Sequence, residues 1–190
     1  MRIRRADPND ADLLVRIIDL ASDGVLPAIW ADLAPNGMSP AEVGRAMVLA
    51  EDGPFSHANG FVAEADGQGL GAMIGYRLPE TPEPPDADVP PAFRPVQALE
   101  SRVPRHWYVN MIAVLPEARN KGCGAALLGL AAKLARAGGC PGVALIVAAS
   151  NEGAMRLYRD LGYEERARCP FDTSAYGHPP TEAVLMVRQI

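Results

Sequence analysis

The residues best placed to do chemistry lie in one run, Val114-Leu115-Pro116-Glu117-Ala118-Arg119-Asn120-Lys121-Gly122-Cys123-Gly124-Ala125-Ala126-Leu127-Leu128, where a strand end passes through a basic, glycine-bearing turn into a helix. Such a junction makes an anion site. The first helical turn leaves backbone N–H groups without intrahelical partners, the macrodipole favours negative charge there, and glycine lets a ligand approach the backbone. Arg119 and Lys121 add formal positive charge. A second set is Asn151, Ala154 and Tyr158, whose i, i+3, i+7 spacing puts them on one helical face with small Ala154 leaving room between two polar residues. Plainer readings stand beside both: a solvated strand-to-helix loop for the first, and an N-cap (Asn151) with a packing residue (Tyr158) for the second.

Several chemistries lack the residues they need. The P-loop pattern G-x-x-x-x-G-K-[ST] has no match, and the dinucleotide fingerprint fails because Leu127 stands where a third glycine is required, so ATP, GTP, NAD and FAD lose their main support. His57, His106 and His178 are scattered, and Cys123, Cys140 and Cys169 form no C-x-x-C pair, which argues against a catalytic metal, structural zinc or disulfides. With 18 Lys+Arg against 23 Asp+Glu the net charge is −5, and no basic run offers a nucleic-acid face. Apolar stretches end well short of the roughly 18 residues a membrane span needs, and the first residues lack a signal peptide's apolar core. The expectation is a cytoplasmic protein with neither nucleic-acid nor membrane partners.

The elements that must position these residues follow from periodicity. The 190 residues, 48% hydrophobic, suit a single domain over 1–190. Arg2-Ile3-Arg4 alternates as a short strand. Asp7-Pro8-Asn9-Asp10 then starts a helix whose apolar stripe Ala11, Leu14, Ile17, Ile18, Ala21 is ended by Gly24 and Pro27. Ser39-Pro40-Ala41-Glu42 is a capping box opening a helix to about Ala50. Segments 61–65 and 70–78 flank Asp66-Gly67-Gln68-Gly69 as a β-hairpin. From Pro79 to Pro104, eight prolines and several acids predict a long surface excursion, with the acidic part at 80–88 either attracting a cationic amine or acting as a solvated linker. The remainder reads β-α-β-α-β-β: strand 106–114, helix 122–137, strand 143–148, helix 151–161, then strands at 163–168 and 183–188. The unbroken apolar runs 143–147 and 184–187 fit strands covered on both faces. The fold class is α/β (α+β) with a mixed central sheet flanked by helices.

Arg119-x-x-Gly122-x-Gly124 after the strand Trp107–Val114, followed by Asn151-x-x-Ala154-x-x-x-Tyr158-x-x-x-Gly162-Tyr163, resembles the two cofactor segments of the GNAT family of acetyl-CoA-dependent N-acetyltransferases. The likeness is closest over about 106–168. It implies a cofactor held between two splayed parallel strands ending near Val114 and Ala148. Ile112 and Val114 would offer backbone hydrogen bonds to the pantetheine arm, and the amides of Asn120, Lys121, Gly122, Cys123, Gly124 and Ala125 would cradle the pyrophosphate beside Arg119. An amide near Ile112 or Ala113 would steady the oxyanion. Asn151 and Ala154 would belong to the second cofactor segment, with Tyr158 the general acid. Cys123 reads as a spacer. The expected reaction is direct acetyl transfer to a small-molecule or peptide amine, with a homodimer as a family-level expectation. Some family members carry a glutamate base on the strand placed at 106–114. This strand has no acid, so Asn110 holding a water is the substitute, and a catalytically silent CoA-binding module is the competing class. Glu100, His106, Asp172 and His178 border loops and read first as solvated residues, while Trp30 and Trp107 read as core or pocket wall.

Overall fold

A computed structural model describes residues 1–35, 37–82 and 89–190. Its strands are β1 (Arg2–Arg5), β2 (Gly60–Ala65), β3 (Gln68–Arg77), β4 (Trp107–Val114), β5 (Gly142–Ala148), β6 (Glu164–Phe171) and β7 (Thr181–Gln189). They form a mixed seven-stranded sheet in the order β1-β2-β3-β4-β5-β7-β6. The helices are α1 (Ala11–Ser22), α2 (Val25–Leu33), α3 (Pro40–Leu49), α4 (Arg94–Glu100), α5 (Cys123–Ala137) and α6 (Glu152–Asp160). The mixed α/β class is as expected. Among the described residues, no helix is long and apolar enough to cross a membrane. The chain groups into two compact units, Met1–Gly75 with Asn110–Gly129, and Tyr76–Val109 with Leu130–Ile190.

In the first unit, the start of α1 is built by reciprocal capping: Asn9 N donates to Asp7 Oδ1 and Asp7 N to Asp10 Oδ2, both at 2.8 Å. Ala11, Leu14, Ile17 and Ile18 of α1 are fully buried, as their spacing requires. Asp23 and Gly24, with φ of 52° and 82°, then turn the chain out of the helix. Pro27 does not terminate α1 as expected. It is the third residue of α2, where its missing N–H forfeits no helical hydrogen bond. The Ser39–Glu42 capping box forms, and α3 lies so close to α2 that a Cβ on Gly44 would overlap the Trp30 ring. The hairpin turn is Asp66-Gly67 alone, at φ 51° and 77°, so β3 begins two residues earlier than hydrophobicity suggests. Arg4 clamps the unit's edge, donating Nε to Glu64 (2.6 Å) and both Nη groups to Asp10 (2.7 and 2.8 Å). Those bonds hold both carboxyls below the usual carboxylate range.

In the second unit, β5 pairs parallel with β4 from Trp107–Val143 to Val109–Leu145, and antiparallel with β7. The two apolar runs thus lie side by side, with Val143, Ala144, Val184 and Met186 fully buried. The proline-rich excursion departs from expectation, because α4 forms inside it. Pro95 sits in the first turn of α4, where no N–H is needed, and the five residues after it are free to be helical. Leu99 and Val103 then bury against Leu78, Tyr108, Ala144 and Leu185, and Phe93 packs edge-on to Phe171 at 5.3 Å. This stretch is therefore partly core; the acidic segment's residues 83–88 lie outside the described residues.

Candidate active site

The basic glycine turn belongs to the first unit. β4 ends at Val114, a 3-10 turn covers Pro116–Ala118, and Asn120 and Gly122 adopt left-handed φ of 60° and 77°. Ala126 N donates to Gly122 O at 3.0 Å, which makes Gly122 the residue flanking the helix start. The N–H groups of Cys123, Gly124 and Ala125 therefore fall in the first turn of a fifteen-residue helix, where the backbone supplies them no acceptor. A Cβ on Gly122 would meet nothing within 4 Å, so the turn faces open space. Arg119 and Lys121 are exposed and bond only to backbone carbonyls, Arg119 Nε to Val114 O (3.4 Å) and Lys121 Nζ to Glu117 O (3.1 Å). Three free amides and two cations without carboxylate partners among the described residues fit a phosphate-bearing ligand. Cys123 is 2% exposed and burial pushes its thiol up, which makes it a packing residue and a poor nucleophile.

The strand leading into this turn is unusual for a central strand. Residues Asn110 to Val114, including Ile112 and Ala113, are only half-buried. On the β3 side the backbones touch, since a Cβ on Gly71 would lie 2.6 Å from Ala113 O and 3.0 Å from Val114 Cα. Asn110 donates Nδ2 to Pro54 O at 2.8 Å, leaving its carboxamide oxygen for a water or an ammonium.

The second unit holds the tyrosine set. Asn151 Oδ1 accepts from Ala154 N at 3.1 Å, so Asn151 is the N-cap of α6. Along α6, Ala154 is half-buried and Tyr158 is 7% exposed, its ring 5.8 Å from that of Tyr163. Burial pushes the Tyr158 hydroxyl up to about 12, so it is protonated throughout the working pH range. Transfer to a thiol of ordinary pKa near 8.5 is then uphill by about 3.5 units, steeper than an unperturbed tyrosine implies, which favours hydrogen bonding over early full transfer.

A carboxylate does reach β4, from a direction spacing alone did not reveal. Tyr108 Oη donates to Glu100 Oε1 at 3.0 Å, and burial pushes the Glu100 carboxyl up. Among the remaining loop candidates, Asp172 accepts from Ser174 N and His106 Nδ1 lies 3.0 Å from Pro104 O, both local turn contacts. Trp30 is core, 1% exposed.

Residues 30–163 match the acetyltransferase (GNAT) family. The chain belongs to this family of acyltransferases. No curated protein matches the sequence. Solved structures do: an N-acetyltransferase from Staphylococcus aureus (15% identity, 99% of this chain and 100% of that one, TM-score 0.67) and the polyamine N-acetyltransferase of Drosophila melanogaster (18%, 100% and 99%, 0.66). A third is Naa20 from Chaetomium thermophilum in complex with a bisubstrate analogue (18%, 100% and 87%, 0.63). At these identities the likeness establishes the GNAT fold for this chain.

Proposed function

We propose that this GNAT protein moves an acetyl group from acetyl-CoA to a primary amine. The observation that carries the proposal is the start of α5, where three first-turn amides, an open left-handed Gly122 and the unpaired Arg119 and Lys121 make a diphosphate site. Asn120 through Ala125 supply the backbone donors for the pyrophosphate, Arg119 its screening charge, and Ile112 and Val114 the backbone partners of the pantetheine arm. An amide at Ile112 or Ala113 steadies the developing oxyanion. Tyr158 donates its hydroxyl proton to the departing thiolate as the C–S bond breaks. Asn151 and Ala154 shape the face from which Tyr158 projects, and Asn110 orients a water or the acceptor through its carboxamide oxygen. The neighbours act on polyamines and carry a peptide-type bisubstrate precedent in Naa20, so a polyamine such as agmatine and a peptide with a free N-terminus are the first acceptors to try.

The test is release of CoA thiol from acetyl-CoA on adding each amine. Amine-dependent release that falls sharply in Tyr158→Phe supports the assignment. Release with no amine, or none from any, removes it.

A further inference from the structure

The proposed transfer needs a neutral amine, yet an alkyl ammonium has a pKa near 10.4 and is almost wholly protonated at neutral pH. Something must take that proton. A base serves best when its own pKa is raised toward the working pH and when it can hold the cation beforehand. Most carboxylates with a distinct environment here are set the other way: Asp10 and Glu64 by Arg4, Glu165 by Arg168, Glu42 and Asp172 by serine hydrogen bonds, all held low.

Glu100 differs in every respect. It closes α4, which packs on β5, β6 and β7, and its neighbours there are apolar or aromatic: Leu99 and Val103 beside it, Ala144 on β5, Ala167 and Phe171 on β6, Leu185 and Val187 on β7. The titratable groups facing it are the hydroxyls of Tyr108 on β4 and Tyr76 on β3, with Cys169 of β6 on the same cluster. Its one hydrogen bond comes from Tyr108 Oη at 3.0 Å, and among the described residues no Lys, Arg or His forms an ion pair with it; Arg105 bonds Glu80 instead. A part-buried carboxylate with no cation is costly, and an incoming ammonium is the partner that removes the cost. The Tyr76 and Tyr108 rings, 6.0 Å apart and edge to face, add π surface that favours a cation. Close by on α4, the Gln97 side-chain oxygen is buried with no partner among the described residues, a further acceptor for an N–H. Tyr76 and Glu100 are each only half-buried, so solvent and ligand can reach the cluster.

Resting on the acetyl-transfer function above, we propose that Glu100, positioned by the Tyr108 hydroxyl beside the Tyr76 ring, is the general base that takes the proton from the acceptor ammonium. The carboxylate accepts one proton and becomes a neutral acid, freeing the nitrogen lone pair. That pair forms the N–C bond while the carbonyl π pair moves to oxygen. On collapse the oxygen pair re-forms the carbonyl, the C–S bond breaks, and sulfur keeps its pair and takes the Tyr158 proton. The second nitrogen proton restores the Tyr158 hydroxyl, and Glu100 releases its proton to water. Tyr108 is a positioning residue, touching the base and not the reacting atoms.

The experiment compares wild type with Glu100→Gln, Glu100→Asp and Tyr108→Phe, using acetyl-CoA with agmatine and, separately, with hydroxylamine, which is already unprotonated at pH 7.5. Acetyl-CoA binding and melting temperature are measured alongside. Glu100→Gln is expected to bind acetyl-CoA as wild type does, to lose at least about 100-fold in kcat/KM with agmatine together with the acid limb of its pH profile, and to lose under about 10-fold with hydroxylamine. Glu100→Asp recovers part of the loss, and Tyr108→Phe shifts the acid limb without abolishing turnover. An active wild type whose Glu100→Gln variant keeps rate and pH profile, or loses both amines equally, overturns the base assignment alone. A wild type that turns over neither amine overturns the acetyl-transfer function and Glu100's role with it.

Discussion

Asn110 Nδ2 reaches the Pro54 carbonyl at 2.8 Å, across fifty-six residues of sequence, and so ties the Asp52–Gly60 loop to the half-buried end of β4. A residue that spacing alone offers to catalysis is thereby also a structural fastener.

Asn110→Ala is expected to lower stability by about 1 kcal/mol, the net worth of one hydrogen bond, measured by urea unfolding. Its pH–rate profile keeps both limbs, because a carboxamide does not titrate. Loss of the acid limb in this variant would transfer the proton-accepting role to a water on Asn110.

Gly122 and Gly129 make a paired test of the α5 start. Gly122→Ala forces a side chain into a left-handed φ of 77° and costs about 1–2 kcal/mol while loosening the anion turn. Gly129→Ala adds a methyl with nothing within 4 Å inside the same helix and gains about 0.5–1 kcal/mol. Calorimetric melting and acetyl-CoA titration together separate the two: only Gly122→Ala weakens binding.

Much of this was readable in the sequence wherever the determinant is local. The Asp7 and Ser39 caps, the Asp66-Gly67 turn and the apolar runs of β5 and β7 are each fixed by residues within a few positions, and the structure keeps them. Helix α4 was hidden because prolines dominate its surroundings, although Pro95 falls at the one place a helix accepts it. Pro27 misled for the same reason. Glu100 reads as a loop acid until α4 folds its carboxyl onto Tyr108, and only the pairing, not either residue type, carries the chemistry. Asn151 was seen in both its guises; the structure adds the capping bond to Ala154 N.

Stability should respond to pH through two opposed groups. Asp10 and Glu64 are held low by Arg4, so their stabilisation is present above the ordinary carboxylate range and is lost as pH falls through their lowered values; Arg4→Met flattens this acid-side loss. Glu100 is raised, so its contribution is full in acid and lost as pH rises through its folded value. Glu100→Gln, which mimics the protonated form, is expected to melt progressively higher than wild type as pH goes from 5 to 8. Equal melting curves across that range would place Glu100 in ordinary solvent.

Tyr158→Phe should lower kcat by about 100-fold with little change in KM for acetyl-CoA, a loss confined to the transition state. Because burial holds this hydroxyl at about 12, no alkaline limb below pH 11 should trace to it. Steady-state rates from pH 6 to 10 check both points.

The central claim is that the start of α5 holds a CoA diphosphate, and the most direct measurement is a thermal-shift titration with acetyl-CoA, CoA, ATP and NAD, repeated on Gly122→Ala. At about 100 times its Kd a native-state ligand adds about 2.7 kcal/mol. The account predicts a clear upward shift with acetyl-CoA and CoA that shrinks in the variant. No shift with either, or a shift with ATP or NAD alone, would contradict it.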